Sequence, residues 1–338
     1  MTPRTAYTSS IFGIIAAAIL AACTPADKQA DNSQTAPAPA AEQKKIAITA
    51  IADHPALDTI RAGVLDGLKA EGFEEGKNLT VDFQSAQGST ANAAQIAKKF
   101  AGANPDAIIA ITTPSAQAVA AATKNIPLIY TAVTDPVGAK LVPSLEPSHT
   151  NITGVSDELP VGPQIDLMKK LVPNLKTIGY VYSPAEVNST TVLERLKAKA
   201  AEQNIQVIAA PAQRSADVLT AARSLGGKAD VIFTSLDNNV VSSYESMYKA
   251  SMELKIPLIA SDADSVTRGA VAALGMDSFG TGQKAGKLAA AVLKGGKPGD
   301  MPSEKLDQLD LYLSKKHAAA LGITLPEELL KEAKEVKE

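Results

Sequence analysis

The chain has 338 residues, 45% of them hydrophobic and 4% aromatic, with a net charge of -3. That length corresponds to roughly two domains of about 150 residues each, and 33 basic against 36 acidic side chains leave no cationic field to grip nucleic acid. One cysteine excludes an internal disulfide framework, and with only three scattered histidines (His54, His149, His317) neither a zinc site nor any other cofactor is expected.

The N-terminus reads as a targeting segment. Arg4 precedes the apolar stretch Ile11–Leu20, which is too short to span a bilayer and suits the core of a secretory signal. It ends in Leu20-Ala21-Ala22-Cys23, which resembles a bacterial lipoprotein signal, where small residues precede a cysteine that is lipidated and becomes the mature N-terminus. The expectation is a signal peptide over 1–22, lipidation (palmitate among the acyl chains) at Cys23, and export to the cell envelope on a membrane anchor. Residues 23–44 are rich in Ala, Pro, Gln and Asp with no large apolar side chain in their first half, so they read as a flexible tether.

From Lys45 onward, short β-branched runs alternate with amphipathic helical patterns, the signature of βα units and parallel sheets. Strands are expected at Ile46–Ile51, Leu79–Phe83, Ala107–Ile111 and Pro127–Thr131. Between them lie helices carrying Leu57, Ile60, Val64 and Leu68, then Ile96, Ala97 and Phe100. The pattern restarts with strands at Thr177–Tyr182, Ile205–Ile208, Val231–Thr234 and Pro257–Ala260, with helices around Val192–Leu196, Val218–Leu225 and Val240–Leu254. A helix over Gly282–Leu293, a strand at Leu309–Leu313 and a last helix from Pro326 complete the chain, with Lys331–Glu338 as its solvated end. Two α/β halves joined between Asn151 and Pro163 follow, and the odd elements at the end imply that the chain crosses between halves more than once.

Ligands on open parallel sheets lie beyond the carboxyl ends of the strands, where helix N-termini present free N–H groups. At Thr112-Thr113-Pro114-Ser115-Ala116-Gln117, Thr113 suits an N-cap and Pro114 the first helical position. The amides of Ser115 and Ala116, with the hydroxyls of Thr113 and Ser115, would then form a socket for a carboxylate. In the second half, Tyr182-Ser183-Pro184-Ala185-Glu186-Val187-Asn188-Ser189 and Ser235-Leu236-Asp237-Asn238-Asn239 are comparable strand-to-helix junctions. A ligand ammonium needs a carboxylate, because an unpaired buried charge is costly, and Glu186 and Asp237 are the candidates. No histidine finds a G-x-S-x-G partner, so no serine triad is expected. Gly280–Gly286 lacks dinucleotide-binding spacing and reads as a closely packed helix start.

At these junctions the sequence resembles bacterial ABC-transporter substrate-binding proteins of the tryptophan/tyrosine-type family. The matching stretches run in register over about residues 45–325. They include His54–Asp58, Glu75–Asn78, Ser85–Gly88, Thr113–Gln117, Val133-Thr134-Asp135-Pro136-Val137, Asn151–Asp157, Glu186–Ser189 and Asp237–Val240. The resemblance implies an α/β type I periplasmic-binding-protein fold: two Rossmann-like lobes with parallel sheets, a hinge of about three crossovers, and a ligand cleft between. By this analogy one lobe takes 45–157 plus 273–300 and the other 158–272 plus 301–338.

The resemblance also implies a mechanism without chemistry. A monomer captures a small zwitterion, with an aromatic amino acid favoured, and delivers it to a membrane permease driven by a cytoplasmic ATPase. Thr113, Ser115 and Ala116 would hold the carboxylate, and Glu186 or Asp237 the ammonium. Asn188, Ser189 and Asn238 would add hydrogen bonds, with Asp135 and Tyr182 also in the ligand site. With no tryptophan in the chain, ring stacking would fall to Tyr130, Tyr182, Phe279 or Phe83. The alternative is a sensory lipoprotein that presents the same cleft to a receptor. An exported enzyme and a ligand-free structural lipoprotein are the further readings, and the enzyme lacks a base–nucleophile pair.

Overall fold

A computed structural model describes residues 43–338 of the chain. The expected signal peptide, Cys23 and nearly all of the tether lie outside these residues. The first half runs β1 (Lys44–Ala50), α1 (Pro55–Ala70), β2 (Leu79–Ser85), α2 (Thr90–Ala103), β3 (Ala107–Ile111), α3 (Thr113–Ala122), β4 (Leu128–Thr131) and β5 (Ile152–Ser156). The second runs α4 (Val161–Leu171), β6 (Thr177–Tyr182), α5 (Val187–Ala201), β7 (Gln206–Pro211), α6 (Val218–Arg223), β8 (Val231–Thr234), α7 (Asn238–Ser242), α8 (Tyr244–Leu254), β9 (Leu258–Ala260), α9 (Ala263–Thr267) and β10 (Ala272–Gly275). Then follow α10 (Ser278–Leu293), β11 (Glu304–Lys305), β12 (Asp310–Ser314), α11 (Lys315–Ala320), α12 (Glu327–Glu332) and β13 (Glu335–Lys337).

Two sheets result. The first has the order β11-β5-β4-β3-β1-β2 and is parallel throughout. The second has the order β13-β12-β10-β9-β8-β6-β7, parallel except where β12 runs antiparallel to β10. Parallel strands covered on both faces must be apolar on both faces. β3 satisfies this, since every residue of Ala107-Ile108-Ile109-Ala110-Ile111 is buried. Ile108 and Ala110 face a core with α2 and α3, whereas Ile109 and Ile111 face one with α1 and α10. The second sheet is likewise buried between α4, α5, α11 and α12 on one face and α6 to α9 on the other.

The chain passes between the sheets three times: after β5, after β10 and between β11 and β12. Two details differ from the sequence expectation. β10 pairs with β9 and β12, so the return to the first lobe starts beyond Gly275 and not at residue 273. Glu304–Lys305 still pairs with β5, so the last crossing follows residue 305 and not 300. Both strands are too short, and too poor in β-branched residues, to announce themselves. The expected helix over Val240–Leu254 is broken at Ser243 into α7 and α8. The chain end is not helical, because Glu335-Val336-Lys337 lies along β12 and turns Val336 onto the second lobe's core. Lys44, assigned to the tether, is the first residue of β1.

The return helix α10 packs on α1 through glycines from both sides. A Cβ on Gly63 would fall 2.2 Å from the Phe279 carbonyl oxygen, one on Gly282 2.1 Å from that of Ile60, and one on Gly286 2.2 Å from that of Val64. The backbones therefore touch, and the close packing read from Gly280–Gly286 is what the helices do. This contact sets the N-termini of α1 and α10 side by side at the cleft. No helix among the described residues is long and apolar enough to cross a membrane.

Candidate ligand-binding cleft

The carboxyl ends of the two sheets' strands face each other, and the loops that leave them enclose a cavity. From the first lobe and its return helix it is lined by His54, Ala56, Leu57, Ile60, Thr112, Ala132, Asp157, Ser278 and Thr281. Leu159 and Met276 line it from the crossovers, and the second lobe contributes Asn188, Leu236, Asp237, Asn238, Val241, Ser261 and Asp262. The volume open to water centres is about 60 Å³, room for about four to six waters at roughly 10–15 Å³ each. At about 30 Å³ of liquid per water that is the size class of one small organic molecule.

On the first lobe the donor side is built at β3–α3. Thr112, not Thr113, is the N-cap, with φ 81° and ψ 158°. That region is essentially reserved for glycine, and holding a threonine there costs about 1–3 kcal/mol. Thr113 and Pro114 thereby become the first two helical residues. The hydroxyls of Thr112, Thr113 and Ser115 are all buried with no hydrogen-bond partner, and first-turn amides have no carbonyl one turn earlier in the helix. Ala116 is different: its N–H donates to the Thr112 carbonyl at 3.0 Å, so it is not available to a ligand as expected. Asn188 Oδ1 and Ser189 Oγ, at the start of α5 in the other lobe, are also buried and unpartnered.

The second lobe supplies carboxylates that already accept hydrogen bonds from the protein itself. Asp237 caps α7: Oδ1 accepts from Val240 N–H at 3.0 Å and from Ser183 Oγ at 2.8 Å, and Oδ2 accepts from Ser183 N–H at 2.6 Å. Glu186 Oε2 accepts from Asn188 Nδ2 (3.0 Å), Asn238 N–H (3.1 Å) and Asn238 Nδ2 (2.7 Å). Burial, and then the neighbouring Asp237, push the Glu186 carboxyl up to about 7, and burial raises Asp237 as well. Asp262 caps α9 with both oxygens on Ser265, at 2.9 and 2.6 Å. Asp157, at the end of β5, is unlike these: its Oδ1 is buried without a partner, and burial pushes its carboxyl up to about 6.

Of the residues expected from sequence, Asn188, Asp237 and Asn238 line the cavity directly, whereas Thr113, Ser115, Glu186 and Ser189 are buried next to lining residues in the chain. Two lie elsewhere. Asp135 accepts from Gly138 N–H at 2.8 Å and meets Arg195 at 3.4 Å, an ion pair between the lobes. Tyr182 shares a strand face with Ile178 and Tyr180, stacks on Tyr180 at 6.4 Å and packs on the second lobe's core. Nor do the other expected ring-stacking residues reach the cavity. Tyr130 is wholly buried in the first lobe's core, Phe83 lies under the Arg61 guanidinium, and Phe279 is exposed. The apolar wall is aliphatic instead: Leu57 and Ile60 from α1, Leu236 and Val241 around α7, and Leu159 and Met276 at the crossovers.

Sequence reasoning missed Thr112, Asp157 and His54 as wall residues. His54, brought in by the N-cap of α1, is held down to about 4 by burial and by Arg268, and so is neutral at pH 7. The lining carries three carboxylates and no lysine or arginine. Its chemistry combines unpartnered hydroxyls, a helix N-terminus and Asp157 on the first lobe with Asp237 and Asp262 on the second, and aliphatic side chains between. Such a surface is suited to a small molecule bearing both charges.

Comparison with known proteins agrees with this geometry. Residues 45–337 match the family model of the ABC transporter substrate binding protein. The chain is 39% identical over 313 residues to a tyrosine-binding protein of Clostridioides difficile, covering 93% of this chain and 91% of that one. The crystal structure of an ABC domain in complex with L-Trp from Streptococcus pneumonia (36% identity, 87% of this chain and 100% of that one) superposes with a TM-score of 0.85. The ligand-free, open structure of a Clostridium difficile substrate-binding protein with adhesive properties (40% identity, 87% and 99%) gives only 0.66. The chain belongs to the ABC transporter substrate-binding protein family, has the periplasmic-binding-protein fold, is not an enzyme, and binds a small molecule outside the cytoplasm for an ABC permease.

Proposed function

We propose that this member of the family captures an aromatic amino acid between its lobes. The observation that carries the reading is the pairing of three unpartnered buried hydroxyls at the N-terminus of α3 with an acidic wall that contains no lysine or arginine. The carboxylate goes to Thr113 and Ser115, where a helix N-terminus favours negative charge, and the ammonium to the acidic wall. Asn188, Ser189 and Asn238 supply further hydrogen bonds, while the aliphatic wall takes the side chain. The relatives named for tyrosine and L-Trp support the ligand class. Closure follows because the contacts come from both lobes, Thr113 and Ser115 from the first and Asn188, Ser189 and Asn238 from the second, and a ligand shifts an equilibrium only by binding its two states differently.

The protein is further read as a monomeric lipoprotein held at the membrane through Cys23. Cys23→Ser should then move it from the membrane fraction to the soluble one.

The ligand reading is tested by thermal shift on soluble protein beginning at Asp27, unfolded and refolded to remove carried ligand, against the twenty amino acids with sugars and nucleosides as controls. At 100 times its dissociation constant a ligand adds about 2.7 kcal/mol. A rise with tyrosine, tryptophan or phenylalanine supports the reading. No rise with any amino acid overturns it.

A further inference from the structure

Four carboxylates stand in or near the cleft wall, and of these only Asp157 has a wholly buried oxygen without a hydrogen-bond partner. Asp237 and Asp262 engage both oxygens with donors of their own lobe, and Glu186 accepts three bonds at one oxygen. Asp157 is buried, lines the cavity, makes no ion pair within 4 Å among the described residues and, although the Thr134 hydroxyl approaches its carboxyl, leaves Oδ1 with no hydrogen-bond partner. Its own N–H donates to the Val133 carbonyl at 3.4 Å, and the neighbouring Ser156 hydroxyl donates to the Thr134 carbonyl at 3.5 Å, so the backbone that carries it is fixed. A buried carboxylate with a free oxygen is among the costliest arrangements a protein interior holds, and it persists where something outside the chain completes it.

The geometry points to Asp157 as the group that receives the ligand's ammonium, in place of Glu186 or Asp237. It rests on the amino-acid reading above and adds the residue that makes a primary amine obligatory. Asp157 stands where β5 gives way to the first crossover, so the charge that demands a partner belongs to the hinge. Asp237 keeps a capping role: its hydrogen bonds hold Ser183 and the start of α7, and both of its oxygens are already engaged by its own lobe.

The test crosses the carboxylate with the amine. Binding of tyrosine and tryptophan is measured by titration calorimetry beside 3-(4-hydroxyphenyl)propionate and indole-3-propionate, which lack only the amino group. Wild type, Asp157→Asn and Asp237→Asn are compared, with melting temperatures taken on each. The expected result is a loss of about 10- to 100-fold for the amino acids in Asp157→Asn, the range of a hydrogen bond to a charged group. The amine-free acids should bind that variant as well as, or better than, they bind wild type. Amino-acid affinity within threefold of wild type in Asp157→Asn overturns the assignment, as does equal weakening of acids with and without the amine. If folded wild type binds none of the four compounds, the amino-acid reading itself falls. If it binds the amino acids but Asp237→Asn alone abolishes the preference for the amine, only the assignment to Asp157 falls.

Discussion

Arg195 of α5 reaches across the cleft mouth and places Nη2 3.4 Å from Asp135, in the loop that follows β4 of the opposite lobe. The same guanidinium meets Glu158 in the first crossover at 3.1 Å, so one side chain ties together both lobes and the hinge. The Asp135 pair spans the two lobes, so drawing them apart would break it. Arg195 is about a third exposed, which limits such a pair to about 0.2–1 kcal/mol. Arg195→Ala should therefore weaken ligand binding by about two- to fivefold through loss of the closed state. Titration calorimetry at low and high salt checks this, since the difference between the proteins should shrink as salt screens the pair.

Thr113→Val and Ser115→Ala remove hydroxyls that are buried and unpartnered in the structure. Each should lower ligand affinity by about tenfold or more, the usual cost of deleting a hydrogen bond to a charged group. Neither should lower the melting temperature of the ligand-free protein, because no internal bond is lost. A fall in ligand-free stability matching the loss in affinity would assign these hydroxyls to structure.

Asp157 also predicts a pH signature. Burial raises its carboxyl from 3.8 to about 6 in the folded state, so between these values the folded form holds more proton than the unfolded one. Stability then falls as pH rises through that window. Asp157→Asn should be more stable than wild type at pH 7.5, and the advantage should vanish near pH 4, where wild-type Asp157 is protonated. His54 works in the opposite sense, because its folded value of about 4 lies below 6.5 and its contribution is lost as pH falls through that interval. The difference between wild type and variant, measured by urea unfolding across pH, cancels the His54 part.

The glycine contact between α1 and α10 gives the strongest stability prediction. Gly282→Ala and Gly286→Ala would drive a methyl into a backbone carbonyl at 2.1 and 2.2 Å, and helices cannot yield there without separating. Overpacking of this kind costs about 1–3 kcal/mol and sometimes more, seen as a lower urea midpoint. Gly295→Ala, with no atom within 4 Å but φ +100°, is the comparison: any loss there comes from backbone strain alone.

How far the chain could be read from its letters depended on length and periodicity. Ala107–Ile111, Thr177–Tyr182 and Val231–Thr234 are visible to the residue because buried parallel strands are uninterrupted apolar runs. β10 and β11, of four and two residues, carry no such run, and with them the exact points of crossing were hidden. The start of α3 was legible because a threonine–proline pair after a strand has one sensible place in a βα unit. Its strained cap was not, since nothing in the letters says that Thr112 adopts φ 81°. Tyr182 was placed in the ligand site against a signal that was present: the two-residue period of β6 puts it with Ile178 and Tyr180 on the core face. Asp157 belongs to the matching stretch Asn151–Asp157, yet nothing in a lone acid after the weak Thr-Gly-Val-Ser strand pattern marks it as a wall residue.

The glycine seam has a consequence for the order of events in capture. α1 brings His54, Leu57 and Ile60 to the cleft and α10 brings Ser278 and Thr281, and backbones in contact at three crossing glycines cannot slide past one another. That wall is therefore a single solid face, the same shape with the lobes apart or together. A ligand meeting the open protein lands on a finished half-mould, and the second lobe arrives afterwards as a lid. Encounter should then be governed by the first lobe, and residence time by how well the second fits over what is already seated.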